Sequence, residues 1–383
     1  MSAPVRRLGA TYFVYFAIVG IVAPYLPVYL ASLDFDYDTV GLLTSIVLGT
    51  KVFAPMFWGH LADRSGRYVF WVRMGALAAL TISLFLPGAR AFFWVAVALF
   101  GYSFFWNAIL PQMEVITLNA LGAARQRYSR IRLWGSVGFI AAVSLIGVAL
   151  DYLSVALLPW ALVVCLASLL LLTFTLPDRT GRGQPVSTRR FLRVALSRTI
   201  WPFWIMVFLL QWSFGAYYVF FSLTLERAGY SFATTGMLWS LGVVAEIILF
   251  AAMPGLLKRF TLYQLFGMAL CLTIIRWSVT GWLTDSPVII TVAQLGHAFS
   301  FGVMHACSIE FLHRTFSGKG EGLAQSAYSA LSFGLGGAVG ATTSGFLFER
   351  FGPEVTFSVA ALLAGLALLP LLSPLRQRLQ SRG

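Results

Sequence analysis

The chain has 383 residues, 59% of them hydrophobic and only 11% charged, with a formal net charge of +13. Soluble domains carry about 25% charged residues. A water-soluble globule of this composition could not cover its own apolar surface, and lipid is the solvent that fits. The basic excess points to nucleic acid only if its placement along the chain is ignored.

Apolar stretches long enough to cross a hydrocarbon core of about 30 Å fall at 8–30, 39–60, 68–86, 91–115, 131–150, 155–176, 200–225, 233–256, 261–283, 287–311, 322–347 and 354–372. They are spans one to twelve. The first follows Arg6 and Arg7 as a secretory leader would, but it runs to about Leu30, too long for a cleaved apolar core. Asp34, Asp36 and Asp38, Pro87-Gly88, Asp285 with Pro287, and Gly352-Pro353 punctuate the breaks. The longest polar stretch, 177–199, carries Asp178, Gly181, Gly183 and Pro185. It reads as a linker between a bundle over 1–176 and a second over 200–383, which ends in a short basic tail. The expected fold class is therefore an all-α membrane protein of twelve transmembrane helices in two pseudo-symmetric six-helix bundles.

Basic residues in short loops set orientation. With the N-terminus cytoplasmic, 21 of the 27 Lys and Arg residues fall on the cytoplasmic side and three, Arg90, Arg227 and Arg350, on the other. The remaining three, Lys51, Arg132 and Arg276, lie within or at the edge of spans. That asymmetry predicts both termini inside, and it explains the basic excess as topology. A shift of 195 residues aligns Gly20 with Gly215, Gly41 with Gly236, Ser45 with Ser240 and Arg64 with Arg259, and sets Lys51 on Glu246. Such an offset is what a repeated six-span unit leaves behind.

After span two the chain reads Gly59-His60-Leu61-Ala62-Asp63-Arg64-Ser65-Gly66-Arg67. This resembles the loop motif of the major facilitator superfamily between spans two and three. Its glycines permit a tight turn and close helix approach, and its acid can pair with a base or a helix N-terminus. The resemblance implies that Gly59, Asp63, Arg64, Gly66 and Arg67 form a gating loop. In the second half the loop is Pro254-Gly255-Leu256-Leu257-Lys258-Arg259, a degraded copy.

Ionisable residues inside spans are expensive and face a bundle interior or an aqueous cavity. Here they are Lys51, Glu114, Arg132, Glu246, Arg276, His297 and His305, with Glu310 near a span end. Glu114 and Arg132 on spans four and five are expected to neutralise each other, as are Glu246 and Arg276 on spans eight and nine. The run from Arg132 to Phe139, with an acid eighteen residues before the arginine, is similar to the oligosaccharide–proton symporters related to lactose permease. In that family the acid–arginine pair contributes to substrate binding. Glu246, Arg276 and His297 match the acid, arginine and histidine that couple proton to sugar there. The pattern departs at Ser300, where that family has its principal protonating glutamate, and in span seven, where Tyr217 and Tyr218 replace its acids. The phenylpropionate permease family of bacterial facilitators is similar over nearly the whole chain, through Ile131–Val137, Leu238–Glu246, Arg276-Trp277, and a span ten bearing both His297 and His305.

The resemblance implies a proton symporter of the bacterial cytoplasmic (inner) membrane, working as a monomer. Its partners are protons and a small organic anion such as 3-phenylpropionate, with no cofactor, metal or nucleic acid. Substrate contacts are expected from Lys51, Glu114, Arg132, Tyr217, Trp239 and Arg276. Glu246 is the first candidate proton carrier, since a carboxyl group withdrawn from water can hold and release a proton reversibly. His297 and His305 follow, because imidazole titrates near physiological pH. Two other readings stay open: a symporter of a neutral sugar or nucleoside, and a non-transporting receptor or scaffold on the same fold. An enzyme is not expected. There is no phosphate-binding G-x-x-x-x-G-K-[ST] loop, no H-E-x-x-H and no G-x-S-x-G. Cys165, Cys271 and Cys307 stand singly, without metal-ligand or disulfide spacing. Span five also lacks the proline-containing glycine motif of facilitator-type drug antiporters, which favours uptake. A lone mid-span cation needs an anion, either Glu246 or the substrate carboxylate once Glu246 is protonated. Lys51→Gln is therefore expected to abolish saturable carboxylate uptake, measured with labelled substrate in proteoliposomes.

Overall fold

Hydrocarbon offers no water to unpaired N–H and C=O groups, so a spanning chain must bond its backbone to itself. In the computed structural model, which describes residues 3–177, 188–317 and 320–380, every regular element among the described residues is helical. Asp178, Gly181, Gly183 and Pro185 of the predicted linker lie outside the described residues, as do Lys319 and Arg382 of the basic count. The rest of the linker is not featureless, since Thr188–Ala195 forms a short helix.

Among the described residues, eleven segments are long and apolar enough to span a bilayer. The last, Glu321–Leu372, is 52 residues long. At 1.5 Å per residue it is more than twice the thickness of the hydrocarbon core. It is interrupted at Gly352, where φ is +76° and Pro353 follows. A left-handed residue before a proline ends one helix and starts another, so the segment supplies two crossings and the total among the described residues is twelve. Several helices outrun the apolar windows read from sequence: span eight continues to Arg259 and span ten to Phe316. Hydropathy stops at the first charges, whereas the helix continues into its polar end.

The chain packs as two compact units, Met1–Gln184 with Tyr230–Ser240, and Pro185–Gly229 with Leu241–Gly383. In the first, Asp151 accepts hydrogen bonds from the backbone N–H of Phe232 (2.7 Å) and Ala233 (3.1 Å), tying the start of span eight to span five. Spans two and four are each broken in mid-membrane. Span two leaves α geometry at Thr50–Val52 and resumes at Ala54, with Pro55 in its first turn. Span four breaks at Asn107 and resumes at Ile109, ahead of Pro111. A proline removes the bond to the carbonyl four residues earlier and crowds it, and those carbonyls belong to Lys51 and Asn107. The two breaks meet: Asn107 Nδ2 donates to Thr50 Oγ1 at 2.8 Å.

In the second unit the irregularities take another form. Spans ten and eleven carry π-helical turns at Ala298–Val303 and Ala330–Gly336, a local widening that is rare and concentrated at functional sites. Each unit is built on one closely packed helix pair, spans one and five in the first and spans seven and eleven in the second. Small residues let such backbones touch. A Cβ on Gly138 would lie 2.0 Å from the carbonyl oxygen of Phe13, and one on Gly340 would lie 2.3 Å from that of Trp212. Overpacking costs about 1–3 kcal/mol. Gly138→Val and Gly340→Val are each expected to lower the melting temperature of the detergent-solubilised protein by several degrees, read by intrinsic fluorescence.

Candidate functional site

In the second unit, span eight lies close against the π turn of span ten. A Cβ on Gly302 would sit 3.3 Å from Glu246 Cγ, and one on Gly242 would sit 3.4 Å from the His297 ring. This approach brings Glu246 Oε2 to 3.7 Å from His297 Nε2, within ion-pair but beyond hydrogen-bond distance. Arg276, 2% exposed, points into the same region from span nine. Its Nη1 donates to Ser300 Oγ (3.0 Å) and its Nη2 to Gln294 Oε1 (3.3 Å), which also accepts from the Tyr217 hydroxyl at 3.2 Å. The guanidinium lies 4.3 Å from the centre of the Tyr217 ring and 4.5 Å from that of Trp277.

The expected Glu246–Arg276 ion pair is therefore replaced. Glu246 meets His297, and Arg276 is held by two neutral acceptors and two ring faces. The π turn Ala298–Val303 begins directly after His297 and carries Ser300, which accepts from Arg276 Nη1. Among the described residues no carboxylate lies within ion-pair distance of Arg276. Three buried polar atoms of the cluster also lack a hydrogen-bond partner among them: Arg276 Nε, Gln294 Nε2 and His297 Nδ1. Sequence reasoning missed Gln294 as a site residue, whereas Trp277 stood in the Arg276-Trp277 run. Gln294 stands three residues before His297, on the same helical face, which was the available signal.

His305 extends the cluster along span ten. The rings of His297, Phe301 and His305 stack at four-residue spacing, with centroid separations of 5.4 and 5.9 Å and interplanar angles of 3° and 7°. His305 Nδ1 lies 3.4 Å from the Tyr328 hydroxyl. Glu310, further along, pairs locally with Arg314 at 2.6 Å. Among the described residues no group of three or more His, Cys, Asp or Glu side chains could hold a metal ion.

In the first unit, Lys51 occupies the break in span two, where its side chain is half-buried. It has no ion-pair partner among the described residues of that unit. Glu114 and Arg132 lie near enough to influence each other electrostatically, together with Tyr12 and Tyr128. They form no direct ion pair, contrary to expectation. Glu114 Oε1 accepts from the Tyr128 hydroxyl (3.3 Å), and Arg132 lies over the Phe16 ring at 3.9 Å. Trp239 is 4% exposed and belongs to this unit.

The loop after span two is ordered by local bonds. Gly66, at φ +68°, closes the helix in the left-handed conformation that only glycine adopts without strain. Asp63 Oδ1 accepts from the Tyr68 hydroxyl (2.8 Å), Ser65 Oγ accepts from Trp71 Nε1 (2.8 Å), and Arg67 lies over the Phe70 ring (4.7 Å). Arg64 is exposed, and Gly59 lies on the helical face toward Gln112.

Comparison with known proteins adds to this geometry. The family model described as "MFS_1 like family" matches residues 5–359. A protein of Escherichia coli (strain K12) named "Probable 3-phenylpropionic acid transporter" is 30% identical over 363 residues, 94% of this chain and 95% of that one. "Maltose permease" of Geobacillus stearothermophilus is 27% identical over 94% of this chain and 92% of its own. Among solved structures, nucleoside transporter NupG superposes with a TM-score of 0.86 at 17% identity, covering 96% of this chain and 99% of that one. The human organic anion transporter MFSD10 does so with a TM-score of 0.67 at 17% identity, covering 96% and 98%. At these identities the structural likeness is one of fold alone.

The loop geometry is open to a direct test. The bond from the buried Tyr68 to Asp63 is partly buried with a charged acceptor, and such a bond contributes about 1.5 kcal/mol. A double-mutant cycle of Asp63→Ala and Tyr68→Phe, read by thermal unfolding, is expected to give a coupling of that size.

Proposed function

The chain belongs to the MFS_1-like family of the major facilitator superfamily, whose members are membrane transporters, and from that premise we propose that it takes up an aromatic carboxylate such as 3-phenylpropionate together with a proton. The observation that carries this reading is Arg276, a buried cation with rings on its faces and no carboxylate in ion-pair contact among the described residues. An arylpropionate supplies both missing parts. Its carboxylate is the counter-charge a buried guanidinium needs, with Arg276 Nε and Gln294 Nε2 as donors. Its ring packs against Tyr217 and Trp277.

Glu246 provides the coupling in this proposal. An ionised Glu246 repels a second carboxylate brought into the same low-dielectric cluster. A proton on Glu246, shared with His297, removes that repulsion, so anion and proton load together. His305, beside the Tyr328 hydroxyl and one Phe301 ring beyond His297, is a second proton-accepting group. Lys51 is the second cation offered to the anion, and the loop carrying Gly59, Asp63, Arg64, Gly66 and Arg67 is the gate. The protein is proposed to act as a monomer in a bacterial inner membrane with both termini cytoplasmic, in line with the asymmetry of its basic residues.

A second reading, a neutral sugar or nucleoside, is favoured by one observation. Glu114, Tyr128, Tyr12 and Arg132 form a hydroxyl- and charge-rich cluster of the kind that binds polyols. The curated relative named for maltose supports the same reading.

Uptake into proteoliposomes under an imposed pH gradient separates the two readings, using labelled 3-phenylpropionate, maltose and uridine. The expected result is gradient-driven accumulation of phenylpropionate alone. Removing a buried charge-assisted contact costs about 3 kcal/mol. Arg276→Gln should therefore weaken apparent affinity by roughly two orders of magnitude. Glu246→Gln should abolish accumulation while leaving exchange down a concentration gradient. Accumulation that ignores the pH gradient sinks the coupling claim, and uptake of maltose or uridine in place of phenylpropionate sinks the substrate claim.

A further inference from the structure

A groove of about 470 Å³ opens on the second unit, away from the cluster around Arg276. Its walls are the first turns of span nine (Leu262–Trp282) and the turn Leu369–Leu372 that ends span twelve. The volume is within the roughly 300–1,000 Å³ typical of ligand sites. The interior is apolar, lined by Met268, Leu368, Leu371 and Leu372. Gly267 keeps it open, because a Cβ there would meet nothing within 4 Å. One end of the lining is formed by Phe260, Tyr263 and Gln264.

The charge at that end is one-signed. The terminal helix Leu375–Gln380 buries Leu375 and Leu379 and leaves Arg376 and Arg378 exposed. It packs on span nine, so that the Arg376 guanidinium lies 5.2 Å from the centre of the Tyr263 ring. Arg259 lies 5.6 Å from the centre of the Phe260 ring. Both aromatic residues of the groove thus carry a guanidinium, Lys258 is adjacent, and neither 250–268 nor 366–380 contains an acidic residue.

An apolar slot that ends in arginines set over aromatic rings, at the end of a transmembrane bundle, has the polarity of a phospholipid: acyl chain inside, anionic headgroup at the rim. Basic pockets between transmembrane helices bind anionic headgroups in this way, and each basic residue near an anionic surface contributes about fivefold in affinity. We infer that this groove binds one anionic phospholipid from the leaflet at this end of the bundle, with an acyl chain over Gly267 and the phosphate at Arg376 and Arg259. This site is independent of the transported substrate.

The full-length protein, purified in mild detergent, is titrated with dioleoyl-phosphatidylglycerol, with dioleoyl-phosphatidylcholine and with inorganic phosphate, and retained lipid is counted by native mass spectrometry. Phosphatidylglycerol is expected to be held in preference to phosphatidylcholine, and phosphate alone should not displace it. Arg376→Gln should weaken retention by roughly fivefold. Gly267→Leu, which fills the slot and improves helix propensity, should abolish retention while thermal unfolding stays as in the wild type. Equal retention of the two lipids, displacement by phosphate, or wild-type retention in both variants would overturn the assignment.

Discussion

Every polar backbone group in the hydrocarbon must find a partner within the protein, and much of this structure follows from that constraint. It forces helices, and it makes any helix break a costly event that neighbouring groups must repair. Pro55 and Pro111 force two such breaks in the first unit, and Asn107 and Thr50 bond to each other where they occur. In the second unit the π turns of spans ten and eleven keep the helices continuous but shift the side chains around them. The 195-residue repeat offset carries Asn107 onto Gly302, inside the π turn of span ten. Spans four and ten are therefore irregular at the same point of the repeat, by different means.

Irregular backbone is also where ionisable side chains stand inside the spans. Lys51 stands on the break in span two, and His297 and Ser300 stand at the π turn of span ten. A charge in a membrane is tolerated only where the protein surrounds it with dipoles, rings or counter-charge. Arg276 shows the arrangement in full, with two neutral acceptors and two aromatic faces. Satisfying a cation with neutral groups leaves its net charge intact, so the cluster stays attractive to an anion. A carboxylate placed directly on Arg276 would have cancelled that attraction.

The architecture and the cargo are under different control. The fold is shared with nucleoside and organic anion transporters at below 20% identity, and relatives at 30% and 27% identity are named for a phenylpropionic acid and for maltose. Packing of small residues between helices maintains the scaffold, whereas function rests on sites grafted onto the fold, here proposed to include side chains on spans seven to ten. The glycines behind those side chains matter for a steric reason. Gly242 and Gly302 let span eight approach span ten closely enough to set Glu246 beside His297.

The sequence by itself determined the spans, their number, the motif loop and the short roster of buried ionisable residues. These depend on local hydropathy and on residue type, which need no knowledge of neighbours. Gly352-Pro353 already marked the break between the last two crossings, and the structure places it there. Partner choice could not be read the same way. The acids and arginines of spans four, five, eight and nine suggested two direct ion pairs. In the structure Glu114 takes the Tyr128 hydroxyl, Arg132 takes the Phe16 ring, Glu246 meets His297, and Arg276 meets Gln294, Ser300 and two rings. Which group a buried charge touches depends on helix rotation and on shifts of a single turn, such as the π turn before Met304. Those are set by packing between distant segments, so only the tertiary structure decided them.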